Sequence, residues 1–225
     1  MCIRDRNYRV GWSSLCWVAG DQLCQSYRNP EYPLDPLTTP ELINIWTTTA
    51  GWYRAEVNRA QMNLLDSHDV PRALHTLKGD VAALKLSLLL LFLQPGAPCI
   101  YYGTEAGLAG GPDDDRSSGP EPACREAVPW EEPWTTDLSS YILQLKAFRD
   151  RWLKLGQPLI TWSALGSDGL MASTASWQLW INRSRQAELQ CSNPEPTDEV
   201  ICGGFSHGRL HPQSAVICFT PSAKE

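Results

Sequence analysis

Asn63–Arg72, NLLDSHDVPR, sets two carboxylates, a hydroxyl and an imidazole in a row at Asp66, Ser67, His68 and Asp69, behind an apolar pair and ahead of a proline. An imidazole flanked by carboxylates suits a hydrolytic zinc or manganese ion. Such an ion needs further ligands at neighbouring strand ends, and the four dispersed His and the absence of any C-x-x-C pair supply none. Adjacent strand residues alternate faces, so Asp66 and Asp69 need not share a role, and a structural role for Asp66 stays open. Arg72 has two readings. Its planar fork can clamp a carboxylate and so orient Asp69 or another partner, or it forms a surface ion pair.

The elements around this run tell where it sits. Gln61–Leu65 reads as a short buried strand that ends at the motif. Before it, the proline-rich PEYPLDPLTTP from Pro30 to Pro40 cannot be regular helix or central strand. It feeds a helix over Glu41–Arg59, where Ile43, Ile45, Trp46 and Trp52 leave the charges on the other side. After the motif, a helix over Asp80–Gln94 is apolar on nearly every face, as a helix pressed between a sheet and its neighbours must be. Asp80 stands at its start as a cap or first-turn acid. QPGAP ends that helix, and CIYYG reads as a second, fully buried strand with Tyr101 and Tyr102 in the core unless their hydroxyls reach the site.

Gly107–Pro122 has loop composition throughout, and a loop of that length in a compact domain is commonly functional. Its Asp113, Asp114 and Asp115 lack the spacing of an EF-hand and read as a solvated acidic loop rather than a calcium site. Trp130 in VPW either anchors the loop, the favoured use, or stacks on a ligand. A helix over Leu138–Leu155 follows, with Tyr141, Ile142, Leu145, Phe148 and Trp152 at helical spacing, and Gly156 and Pro158 end it. Beyond Pro158 the pattern alternates in short β-rich runs. Strand, helix, strand, helix with chemistry at the carboxyl ends of strands is the layout of a parallel α/β barrel or a doubly wound sheet.

Composition bounds the function. The 225 residues allow one large or two small domains, and 43% hydrophobic with 20% charged residues excludes wholesale disorder. A net charge of −6 with 19 Lys and Arg argues against nucleic acid and anionic lipid, which are held by clustered cations. Ten Trp suit the apolar faces of sugars as well as cores, with core packing the main use. The eight Cys read as reduced, mostly buried thiols. The longest apolar run, Val81–Leu93, is too short to span a membrane, and no signal peptide is present, so a cytoplasmic location is expected. MCIRDR at the start joins no periodic pattern and resembles a translated sequencing adapter. The native chain is therefore expected to begin upstream.

NLLDSHDVPR, then LLLLFLQPGAPCIYYGTEAGLAGG, then CREAVPW, in that order, resemble the C-terminal part of the α-amylase family, glycoside hydrolase family 13. Within the family the likeness is to the neopullulanase, cyclomaltodextrinase and maltogenic amylase group. It runs from NYRVG at Asn7, similar to the end of barrel strand six, into LWINRS at Leu179–Ser184. The resemblance implies an α/β fold: the C-terminal part of a (β/α)8 TIM barrel followed by a small all-β sandwich domain. Residues 1–6 would be a non-native leader, 7–157 the barrel portion and 158–225 the β-domain. An isolated barrel portion is expected to expose strand edges and the apolar helix Val81–Leu93, with poor solubility.

The same resemblance implies a retaining glycosidase acting on α-1,4-glucans such as cyclodextrin, pullulan or maltooligosaccharides, with no cofactor. Such enzymes flank the bond with a nucleophilic carboxylate and an acid/base carboxyl. Asp69 matches a third carboxylate that binds sugar hydroxyls and favours the distorted transition state, and His68 matches the histidine that hydrogen-bonds the sugar beside it. Arg125 matches an arginine that grips a glucose in a neighbouring subsite. Glu121 stands where relatives carry its Asp partner, so the string EPACR departs from the family pattern in subsite geometry. The nucleophile and acid/base would lie on strands four and five, upstream of Asn7, and nothing in this sequence matches them. The 225 residues alone are therefore expected to be inactive. The implied partners are α-glucan and, for the parent, a second copy joined through an N-terminal domain. The competing reading is a non-catalytic α-amylase-like domain, such as the ectodomain of a transporter's partner subunit.

Overall fold

In the computed structural model, residues 6–24, 34–110, 123–128, 130, 136–156, 159–191 and 199–219 are described. Three short parallel strands, β1 (Arg6–Asn7), β2 (Met62–Leu64) and β3 (Ala97–Cys99), lie side by side in chain order. Asn7 pairs with Asn63 and Asn63 with Pro98, and the same residues tie the strands together through side chains. Asn7 Nδ2 donates to Asn63 Oδ1 at 3.0 Å, and Asn63 Nδ2 donates to the Pro95 carbonyl at 2.7 Å. Pro98 has no N–H for a ladder, which suits β3's place at the edge of these three strands.

Helices connect the strands: α1 (Tyr8–Ala19), α2 (Thr39–Gly51) and α3 (Ala55–Ala60) between β1 and β2, then α4 (Ala73–Thr76) and α5 (Val81–Leu93) between β2 and β3. α6 (Thr136–Lys154) follows β3. α1 crosses directly behind β2, and Gly11 makes that approach possible: a Cβ there would lie 1.9 Å from the Leu64 carbonyl oxygen. α5 is capped by Asp80, whose Oδ1 accepts from Ala83 N at 3.0 Å. Leu84, Leu86 and Leu88–Leu91 are all at most 1% exposed.

Beyond α6 come β4 (Thr161–Leu165), β5 (Gly169–Ser173), β6 (Trp177–Asn182), β7 (Leu189–Gln190), β8 (Glu199–Cys202), β9 (Phe205–Ser206), β10 (Arg209–Leu210) and β11 (Ser214–Phe219). They form a five-stranded antiparallel sheet, ordered β4-β5-β6-β11-β8, and a three-stranded one, β7-β10-β9. Period-two alternation divides the larger sheet. Trp177, Leu179, Ile181, Ala215 and Ile217 join the core with the helices, while Trp180 and Val216 pack with Leu210 and Cys191 against the smaller sheet.

Two arginines after β6 fasten this unit to the helices. Arg183 donates to the carbonyls of Trp17 and Leu37 and pairs with Asp168. Arg185 donates through Nε and Nη2 to Asp80 Oδ2, at 3.1 and 2.9 Å. Burial pushes the Asp80 carboxyl up, but the bonds from Ala83 N, Gln213 and Arg185 outweigh it and hold the group below its usual value.

Several expectations are corrected. The single helix Glu41–Arg59 is two helices broken after Gly51, and Asn58 Nδ2 donates to the carbonyls of Ala50 and Tyr53 across the break. The strand expected over CIYYG is Ala97–Cys99 instead, because pairing with β2 ends at Leu64↔Cys99. Tyr102 is 39% exposed and Tyr101 half-buried, so neither is core. Arg6, grouped by sequence with the leader, pairs with Met62 in β1. α5 is not exposed by the chain as it stands, since α1, α6 and β11 cover it. Trp130 is 78% exposed, so burial in the core is not its use. Glu121 and Asp113–Asp115 lie outside the described residues. Among the described residues six Trp are buried, at positions 12, 17, 46, 152, 177 and 180. Of the seven described Cys, Cys16, Cys124, Cys191 and Cys202 are buried. Among the described residues no helix is long and apolar enough to cross a membrane.

Candidate active site

β2 delivers its chain to a loop that doubles back at once. Asp66, 3% exposed, turns inward: Oδ2 accepts from Ala73 N at 2.9 Å and from the Thr104 hydroxyl at 2.9 Å. That carboxylate thus staples both ends of the loop to the turn after β3. Ser67 and Val70 form an antiparallel bridge, and Ser67 Oγ accepts from Asp69 N and meets the Tyr8 hydroxyl, both at 3.1 Å. The result is a tight turn whose tip, His68 and Asp69, faces solvent.

Asp69 is the centre of the charge there, with its side chain 46% exposed. His68 Nε2 lies 3.1 Å from Oδ1, Arg125 Nη2 lies 3.8 Å from Oδ1, and Arg6 Nη1 lies 3.1 Å from Oδ2. The segment Ala123–Arg125 is fixed to the same turn. Arg125 Nε donates to the His68 carbonyl at 3.0 Å, Cys124 Sγ donates to that oxygen at 3.4 Å, and the Tyr102 hydroxyl donates to Glu126 O at 3.0 Å. The structure therefore brings His68, Asp69 and Arg125 together, as three exposed polar groups at the carboxyl ends of β2 and β3.

Asp66 and Arg72 stand behind them. Burial pushes the Asp66 carboxyl up; the bonds from Ala73 N and Thr104 and the charge of Arg72 oppose the rise, and Glu105 adds to it. A folded-state value above the unfolded one means that the folded chain binds this proton more tightly. Its stabilising effect is full below about pH 3.8, the ordinary value, and is lost as pH rises through the folded value. Asp66→Asn keeps an acceptor for Ala73 N and removes the buried charge. Urea unfolding from about pH 4 to pH 7 should show the variant gaining stability relative to wild type as pH rises. A constant difference across that range would contradict the assignment.

Arg72 is fully buried, with its guanidinium carbon 4.9 Å from the ring centres of both Tyr101 and Tyr102 and Nη1 donating to the Tyr102 carbonyl at 2.7 Å. It is no surface pair, and its charge acts on the Asp66 carboxylate. The cation lies against the edge-to-face pair of Tyr101 and Tyr102, an arrangement strengthened by exclusion of water. Its Nε and Nη2 find no hydrogen-bond partner among the described residues. Thr104, Tyr8 and Cys124 shape the site and were not singled out by sequence for it, although all three lay inside the quoted motifs. Among the described residues, no three His, Cys, Asp or Glu side chains gather as metal ligands.

A carboxylate, an imidazole and a guanidinium on the loops that follow parallel strands define a polar-ligand site of the α/β-barrel kind. The model of the alpha amylase catalytic domain matches residues 22–153, and the chain belongs to that family. It is 40% identical over 153 residues to a cyclomaltodextrinase of Geobacillus thermopakistaniensis, covering 63% of this chain and 24% of that protein. It is 39% identical over 95 residues to an intracellular maltogenic amylase of Bacillus subtilis, covering 42% of this chain and 15% of that protein. The crystal structure of an acarbose-soaked debranching enzyme of Nostoc punctiforme superposes with a TM-score of 0.72 at 27% identity, over 96% of this chain and 46% of that one. The chain thus spans about a quarter or less of the curated relatives it matches. The fold is a TIM-barrel-based α/β fold with a β-sheet domain.

Proposed function

We infer that this chain is the C-terminal portion of a retaining glycosidase that cleaves α-1,4-glucans, with cyclodextrins, pullulan or maltooligosaccharides as substrates. The observation that carries the reading is the Asp69 carboxylate, held at the tip of the Ser67–Val70 turn with His68 Nε2 at 3.1 Å and Arg125 Nη2 at 3.8 Å. Asp69 accepts from sugar hydroxyls on the ring undergoing cleavage, and His68 donates to the same ring. Arg125 holds the neighbouring glucose, with Glu121 as its acidic companion. Bonds of this kind accelerate the reaction only where they strengthen as the ring distorts toward the oxocarbenium-like state. Asp66 and Arg72 support the loops and do not touch sugar.

The nucleophile and the acid/base belong to strands four and five of the parent barrel, and residues 7–157 supply strands six to eight. In this reading residues 158–225 are a β-domain that shields the helices. The parent works in the cytoplasm, pairs with a second copy, and binds neither nucleic acid nor membrane. Two assays test the proposal. The purified 225-residue chain should release no reducing sugar from maltoheptaose or β-cyclodextrin. A parent carrying the upstream coding sequence should release products that are first α-anomeric by proton NMR. Turnover by the chain alone, or initial β-anomers from the parent, would refute it.

A further inference from the structure

The turn that presents Asp69 is held from two sides. After β3, Arg125 Nε and Cys124 Sγ donate to the His68 carbonyl at 3.0 and 3.4 Å. From β1, the hold is a chain of hydroxyls. The Tyr8 hydroxyl lies 3.1 Å from Ser67 Oγ, and Ser67 Oγ accepts from Asp69 N at 3.1 Å. Arg6 Nη1 donates to the Tyr8 oxygen at 3.1 Å, which directs the phenol proton to Ser67. Ser67 is 6% exposed, whereas the Asp69 side chain is 46% exposed, so the tie is buried while the group it carries is open to a ligand.

Tyr8 is a fixed post for such a tie. It opens α1 beside Asn7, which pairs with Asn63 of β2 in register and bonds to it through side chains at 3.0 Å. Its ring centre stands 6.1 Å from that of Trp12, a buried neighbour one turn along the helix.

We propose that Tyr8, acting through Ser67, is a positioning residue for Asp69 in the glycosidase reaction. A carboxylate on so short a side chain follows the tilt of its own peptide, and the N–H of that peptide ends on Ser67 Oγ. A serine hydroxyl has several staggered positions, and the contact with Tyr8 favours the one that meets Asp69 N. Without the phenol oxygen Ser67 is free to turn and the Asp69 peptide to tilt. Misplacement by about 1 Å in a reacting geometry costs on the order of 10²-fold in rate. A packing role predicts something different, because Phe fills nearly the same space as Tyr and would leave Asp69 in place. The catalytic consequence rests on the proposed function; the chain of hydroxyls does not.

Two measurements test the assignment. In the 225-residue chain, amide hydrogen exchange followed by NMR should show Asp69 N–H exchanging about tenfold faster or more in Tyr8→Phe and in Ser67→Ala, while the amides of β2 keep their rates. In the parent, each variant should lower kcat on maltotriose about tenfold or more with KM within about twofold. The double variant should lose no more than Ser67→Ala alone, because Tyr8 acts through that serine. Tyr8→Phe removes a single atom and carries the test if Ser67→Ala misfolds. Asp69 exchange unchanged in Tyr8→Phe overturns the proposal, as does wild-type kcat in that variant of an active parent, or losses that multiply in the double variant. A parent without turnover refutes the proposed function instead, and the exchange rates then decide on their own whether Tyr8 fixes the turn.

Discussion

Replacing Asp69 with Asn in the complete parent enzyme is expected to lower kcat by about 10²–10⁴-fold, with a much smaller change in KM. Asn has nearly the same shape and still accepts a hydrogen bond, so ground-state contacts with sugar hydroxyls largely persist. What disappears is the negative charge facing a ring that becomes positive in the transition state. An interaction made mainly in that state lowers kcat and kcat/KM together, whereas loss of uniform binding raises KM alone. Stability should change little, because the ion pairs of Asp69 with Arg6 and Arg125 join partly exposed groups and such pairs are worth about 0–1 kcal/mol. Steady-state kinetics on maltotriose checks the point. A kcat within about threefold of wild type would remove Asp69 from the machinery.

The second large effect lies in the packing. Gly11→Ala is expected to destabilise the chain by about 2–4 kcal/mol, although Ala is the better helix former by about 1 kcal/mol. The new Cβ would fall 1.9 Å from the Leu64 carbonyl oxygen and 3.0 Å from its carbon, both main-chain atoms that cannot swing away. α1 cannot retreat either, because every residue from Val10 to Ala19 is buried. The strain therefore falls on β2, the strand that leads to Asp66 and Asp69. Urea denaturation should show a lower midpoint with an unchanged slope, and a variant as stable as wild type would show that the helix has room to move.

These two predictions draw on different kinds of information. Part of the site is legible in the sequence because its chemistry is local: Asp66, Ser67, His68 and Asp69 are neighbours, and the turn that presents them closes at Val70. α5 is legible for a related reason. Its run of leucines has no polar face to offer water, so it must be buried, and Asp80 caps it through Ala83, only three residues away.

The burial of Arg72 was not legible because its aromatic neighbours come from elsewhere. Nothing near Pro71 says that Tyr101 and Tyr102 will close on its guanidinium, and residues some thirty positions apart meet only when β2 and β3 pair in register. The same register ended the second strand at Cys99 and released the tyrosines from the core. Asp80 shows both sides at once: its capping role is local, but its bonds to Arg185 and Gln213 join elements more than a hundred residues apart.

By itself, then, the sequence determined which residues carry charge and hydrogen bonds at the end of β2, and which helix is too apolar to face water. Both follow from composition and short-range spacing. Only the tertiary structure decided that Arg72 packs against two tyrosine rings, that Arg125 reaches the His68 carbonyl, and that three tryptophans border one cavity. Each of those depends on strand register and on how sheet and helices close over one another, and side chains distant along the chain meet only when that closure is complete.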